Sequence, residues 1–134
     1  MIVVDSSAWI EFLRATGSPS HRTLVRLVEE RFALAITGIV VAEVLAGARS
    51  PSEHHRLRRH MLACRMLPLD GQRSFEAAAK LVQECRAQGI SPSVTDCLVA
   101  APARRAGAPV LHADKDFDAI ASVTDLAIYP LDDA

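Results

Sequence analysis

Met1-Ile2-Val3-Val4-Asp5-Ser6-Ser7-Ala8-Trp9 sets the pattern from which the fold is read. Four apolar residues make a short buried strand. Asp5, Ser6 and Ser7 then end it with side-chain oxygens suited to capping a helix. Residues 8–14 follow as that helix, with Trp9, Phe12 and Leu13 among its apolar positions. Thr16-Gly17-Ser18-Pro19 breaks it, and a second amphipathic helix carries Leu24, Leu27 and Val28. The same alternation recurs downstream. Residues 33–36 read as a second strand, and Thr37-Gly38 turns the chain into an apolar helix over 39–48. Ser50-Pro51 opens a polar, basic helix to about residue 63, and residues 66–69 form a third strand. A long helix spans about 72–88 and stops at Gly89. Ser91-Pro92-Ser93 caps the next, which runs toward Arg105 and ends at Gly107. Residues 109–112 are a fourth strand, 114–122 a short helix and 126–129 a last strand.

Short strands separated by helices predict a central, mainly parallel sheet of four to five strands between helical layers, an α/β/α sandwich. No repeat, low-complexity tract or linker divides the chain, so the expectation is one domain over 1–134. Half the residues are hydrophobic and 23% are charged, a globular composition. Cys64, Cys85 and Cys97 are odd in number and form no CxxC pair, which argues against a disulfide framework and a zinc site and fits a reducing cytoplasm. Asp5 and Glu11 interrupt the first apolar run, so no secretory signal is expected there. No stretch approaches the roughly 20 apolar residues that a membrane span needs. The net charge is −1, and thirteen of the fifteen basic residues are arginines, clustered at Arg22 and Arg26, at Arg56, Arg58 and Arg59, and at Arg104 and Arg105. A solvated surface accounts for any one cluster, so charge alone decides nothing.

The acids are more informative. In parallel sheets ligands bind at the carboxyl ends of the strands. Asp5 ends the first strand, and Asp114 lies two residues past the fourth. Asp96 sits where a loop enters a helix, and Ser93-x-x-Asp96 also matches a capping box. Asp5 and Asp114 can equally be helix caps. Glu43 differs: it is mid-helix, with Ile39, Val40, Ala46 and Gly47 on its face, so it is expected to point at an apolar surface. A buried ion pair to an arginine is the alternative for it. Two carboxylates about 4 Å apart repel by roughly 4 kcal/mol at an effective dielectric of about 20. Four gathered acids therefore need protons or cations, and an all-oxygen set suits Mg2+ or Mn2+. Such ions serve phosphodiester hydrolysis.

Val4-Asp5-Ser6-Ser7-Ala8-Trp9, Ala42-Glu43-Val44-Leu45, Thr95-Asp96-Cys97-Leu98-Val99-Ala100-Ala101 and His112-Ala113-Asp114-Lys115-Asp116-Phe117-Asp118 together resemble PIN-domain signatures. With the chain length, they resemble the VapC toxins of bacterial toxin–antitoxin pairs over nearly the whole sequence. The resemblance implies a PIN-like fold and a Mg2+- or Mn2+-dependent endoribonuclease toxin that acts on RNA, structured RNAs such as transfer RNA among its substrates. It also implies a VapB-type antitoxin as inhibitor, a homodimer and no membrane partner. Asp5, Glu43, Asp96 and Asp114 are the implied catalytic acids. Asp5 and Asp96 are the implied main metal ligands, with Asp114 and Asp116 completing the coordination. Glu43 is implied to orient or deprotonate the attacking water, with a pKa raised by apolar surroundings. Ser6 or Ser7 serves a metal-bound water or the helix cap. Trp9 and Phe12 are candidates for receiving the antitoxin tail, with core packing the expected role of at least one. Asp118 is left to the helix dipole.

Two positions depart from the family pattern. Thr95 stands where relatives commonly have Asn. Pro102 stands where they have a helix former, and cannot donate to the Leu98 carbonyl, which predicts lowered stability of about 3 kcal/mol rather than lost chemistry. Other strand-end acid chemistries fit less well. A phosphate-receiving regulator wants paired acids after the first strand, and a haloacid-dehalogenase-type phosphatase wants Asp-x-Asp there, whereas Ser6 and Ser7 follow Asp5. A PIN-like module that binds RNA or a partner without cleaving is the remaining alternative; loss of an acid would favour it, and all four are present.

Overall fold

A computed structural model describes residues 1–132. β1 (Ile2–Val4) is followed by α1 (Ser6–Arg14) and α2 (Pro19–Glu29), and β2 (Leu34–Thr37) by α3 (Gly38–Ala46) and α4 (Pro51–Leu62). β3 (Arg65–Leu67) leads into α5 (Gly71–Ala87) and α6 (Val94–Ala106), and β4 (Val110–Leu111) into α7 (Lys115–Val123). The strands form one parallel sheet in the order β3-β2-β1-β4. β1, β2 and β4 are buried at every position, which is why they read as unbroken apolar runs rather than alternating ones. The expected last strand shrinks to a single parallel bridge between Val110 and Ile128. β4 is two residues long, so a neighbour on that side finds one residue to pair with.

Local chemistry sets the helix starts. Ser18 and Ser50 each accept a backbone N–H with their hydroxyls, from His21 and Glu53, and each precedes a proline in the first turn. Gly107 closes α6 in the left-handed region at φ 65°, where a side chain would be strained. α6 continues through Pro102 to Ala106. Trp9 and Phe117 are the largest fully buried side chains. Trp9 stacks on Phe12 at 5.7 Å between ring centroids, and His60 tilts against both. Trp9 is therefore a core residue and closed to a docking tail; Phe12 is half-buried.

The strand order places the next feature. The chain leaves β1 toward β2 and β3, then returns to put β4 on the other flank of β1. The order reverses between β1 and β4, and at such a switch point the connections diverge and leave a crevice at the carboxyl ends of the strands. Asp5 follows β1 and Asp114 follows β4 at this place.

Candidate active site

Three helices begin at the crevice, and each brings an acid. Asp5 is the N-cap of α1: its Oδ2 accepts the Ser7 N–H at 3.0 Å and the Ser7 hydroxyl at 2.6 Å. Asp114 is the N-cap of α7, with Oδ1 accepting the Asp116 N–H at 3.0 Å. Asp96 lies in the first turn of α6, where its own N–H donates to the Ser93 hydroxyl at 3.0 Å. The capping reading is therefore correct for Asp5 and Asp114; at α6 the cap is Ser93, and no bond from the Ser93 N–H to the Asp96 carboxylate completes the box among the described residues. A carboxylate has two oxygens, and a cap needs only one of them.

The structure brings Asp96, Asp114 and Asp116 together, with one carboxylate oxygen of each within 4.8 Å of the others. Asp5 is buried at 3% exposure, and burial is the main reason its pKa lies above the ordinary value, with the Asp114 charge adding to the effect. The Asp96 carboxyl is pushed up to about 7, first by burial and then by the charges of Asp114 and Asp5, with Asp116 beside it. Helix N-termini favour negative charge, which offsets part of this repulsion. Thr37, at the carboxyl end of β2, is fully buried with a hydroxyl that has no partner among the described residues. An all-oxygen, mutually repelling donor set fits a hard divalent cation.

The loop that carries Asp114 is fastened from two sides. The Ala113 N–H donates to the Ser7 hydroxyl at 2.9 Å, so Ser7 ties Asp5 to the β4–α7 loop. The Asp114 N–H donates to His112 Nδ1 at 3.0 Å, and His112 Nε2 lies 3.0 Å from Asp118 Oδ1. With Nδ1 accepting, the proton belongs on Nε2 and faces the Asp118 carboxylate, which fixes the tautomer. His112 is 6% exposed and packs on Phe117 at 5.2 Å. Reading the sequence missed His112 as a holding residue and left Asp118 to the dipole alone. The His-x-Asp spacing at a strand end was the available signal.

Glu43 does not behave as expected. It is exposed rather than set among apolar groups, and it joins no hydrogen bond or ion pair among the described residues. The buried stripe of α3 is Val40 and Val44, while Ala42, Ala46 and Gly47 are exposed like Glu43. The apolar letters around it are small residues on the outer side of the helix. Neither the expected apolar setting nor its alternative, a buried ion pair, is present.

The PIN domain family profile matches residues 2–123. Ribonuclease VapC11 of Mycobacterium tuberculosis is 40% identical over 128 residues, covering 94% of this chain and 96% of that protein. Among solved structures, VapBC2 from Rickettsia felis bound to a promoter DNA fragment superposes with a TM-score of 0.76 at 17% identity, over 98% of this chain and 100% of that one. VapC20 of Mycobacterium tuberculosis, a Sarcin-Ricin loop cleaving toxin, gives 0.68 at 22% identity, over 95% and 99%. These two likenesses concern the fold.

Proposed function

The chain belongs to the PIN-domain family, with the VapC ribonucleases as its relatives, and on that premise we propose a divalent-cation-dependent reaction with named roles for its acids. The activity is that of an endoribonuclease toxin hydrolysing RNA phosphodiester bonds, with a VapB-type antitoxin as its inhibitor. The observation that carries the proposal is the closure of Asp96, Asp114 and Asp116 to within 4.8 Å beside buried Asp5. Asp5, Asp96, Asp114 and Asp116 would hold the cation, Mg2+ or Mn2+. When bound, such an ion offsets phosphate charge and lowers the pKa of water, which favours attack on phosphorus.

The chain's own groups supply the rest. Ser7 orients Asp5 through two hydrogen bonds and fixes the opposing loop. His112 holds the backbone of Asp114, so two of the four acids are in place before substrate arrives. Glu43, free of partners in the described residues, is assigned to orienting the attacking water and taking its proton. That role rests on the likeness of its Ala42–Leu45 segment to the family signature, not on its surroundings. The cytoplasm, where RNA and an antitoxin meet, is the proposed location. Among the described residues no helix is long and apolar enough to cross a membrane.

The test is RNA cleavage with Mn2+, with EDTA, and with Asp5→Ala. Cleavage should need the ion and fall at least about a hundredfold in the variant, a loss of roughly 3 kcal/mol of transition-state stabilisation. Metal-independent cleavage that survives in Asp5→Ala would overturn the mechanism.

A further inference from the structure

Residues 54–69 contain four arginines, three histidines and no acid. The chain's net charge of −1 thus divides into +4 in this segment and −5 over the rest. The segment is most of α4 and all of β3, the edge strand of the sheet. Leu57 and Met61 are the buried residues of α4, while His54, His55, Arg56, Arg58 and Arg59 are exposed, as is Arg65 on β3.

Three of the nine other arginines have carboxylate partners, so what sets α4 apart is three unpaired arginines within four residues. Arg26 pairs with Asp132 and Glu30, and Arg104 with Asp125 and Glu84. Arg14 pairs with Glu53 at 3.3 Å, which occupies the single acid of α4. Arg56, Arg58, Arg59 and Arg65 have no carboxylate partner among the described residues. Like charges three and four residues apart weaken a helix by a few tenths of a kcal/mol per pair. Arg56 and Arg59 are such a pair, and nothing within the described fold offsets them. Their field is felt locally: burial first, then Arg56 and Arg59, lower the pKa of His60.

Placement gives this face a use. β3 stands two inter-strand spacings to the side of β1, about 10 Å, and α4 enters it at its amino end. Glu53 in the first turn of α4 is paired to Arg14, at the far end of α1 from Asp5, so the α4 arginines can engage phosphates only some nucleotides away from the acids. The carboxylates at that crevice repel any polyanion, so a substrate with a charged backbone must be attracted from elsewhere. Guanidinium groups suit phosphates, which they bind bidentately. We propose that the exposed face of α4, through Arg56, Arg58 and Arg59, binds the phosphate backbone of the RNA some nucleotides away from the bond presented to the acids. This rests on the ribonuclease reading above. An acidic protein segment on the same face is the competing occupant, which would leave RNA affinity independent of these arginines.

The experiment measures binding of fluorescently labelled oligouridine in EDTA over a range of salt concentrations, with no cleavage required. Each arginine contacting a phosphate contributes about 0.7 to the slope of log affinity against log salt. The triple variant Arg56→Gln/Arg58→Gln/Arg59→Gln should flatten the slope by about 2 and bind more than tenfold more weakly at about 50 mM salt. Arg58→Gln alone should lose about 0.7, which keeps the test available should the triple variant fold poorly. The control triple Arg31→Gln/Arg73→Gln/Arg105→Gln removes equally exposed charges without ion-pair partners among the described residues, and should leave the slope within about 0.5 of the parent. An unchanged slope in the α4 variants, or an equal loss in both triples, overturns the proposal. A parent chain that binds through α4 but cleaves no RNA with Mn2+ would instead count against the ribonuclease reading.

Discussion

Asp114 and Glu43 both follow parallel strands of one sheet, yet the fold treats them differently. Asp114 has its N–H on His112, its Oδ1 on the Asp116 N–H and its loop pinned to Ser7. Glu43 is exposed on α3 with no hydrogen bond among the described residues. One acid is held by backbone chemistry whether or not anything is bound. The other is left for substrate or solvent to place. The contrast suggests a division of labour: held carboxylates fix where a cation and a phosphate sit, and an unheld one exchanges a proton with water. Preorganised groups stabilise charge without rearranging during the reaction, whereas a proton-transfer group needs access.

The largest test of the contrast is Glu43→Gln. Loss of a general base should lower kcat by about a hundredfold or more. Because the side chain is exposed and unpaired, unfolding free energy should stay within about 0.5 kcal/mol of the parent. A clear loss of stability, seen by thermal melting, would show that Glu43 has a structural partner and would break the comparison.

His112 gives a smaller effect of the opposite kind. His112→Ala leaves the Asp114 N–H without its acceptor and should cost about 1–3 kcal/mol of stability. It should also lower kcat by about tenfold while KM changes little, since the substrate is not contacted. In His112→Asn the amide oxygen can stand near the lost Nδ1, so most of kcat should return although the Asp118 contact is gone. Steady-state cleavage and melting curves check both variants. Equal kcat losses in Ala and Asn would mean that His112 matters for packing on Phe117 and not for holding Asp114.

Much of this arrangement was legible in the sequence because it is local. Apolar runs of three or four residues ended by Asp, or followed by Ser-Pro, mark strands and helix starts by steric and hydrogen-bonding rules that need no tertiary information. Asp5, Asp96 and Asp114 were singled out in this way, each beside a strand end or a helix start, and Asp116 only through the family resemblance. The surroundings of Glu43 were misread because Ala42, Ala46 and Gly47 are apolar in type yet small enough to sit at the surface without cost. The stripe that is buried depends on what packs against α3, which periodicity in nine residues does not determine. The His112–Asp118 contact was hidden for another reason. It joins a strand end to the first turn of the next helix and depends on which ring nitrogen carries the proton. The charge of α4 was visible as an arginine cluster, but the structure was needed to show that all three of its arginines lack a carboxylate partner among the described residues, whereas Arg26 and Arg104 in the other clusters have one.

The central claim is that Asp96 and its neighbours form a cation site, and the pH dependence of metal-free stability tests it most directly. The Asp96 carboxyl is pushed up to about 7 in the fold from its ordinary value of 3.8, and Asp5 is raised as well. Between those values the folded state holds more protons than the unfolded one, so stability falls as pH rises through this window. Asp96 is partly buried, so after allowance for solvent screening the loss is on the order of 1–2 kcal/mol, a few degrees in Tm. In EDTA the parent should melt lower at about pH 8 than at about pH 5, and Mn2+ at the higher pH should restore the loss. Asp96→Asn should show a much flatter profile and little response to Mn2+. A parent that is equally stable across this range, or one whose melting Mn2+ leaves unchanged, would contradict the account.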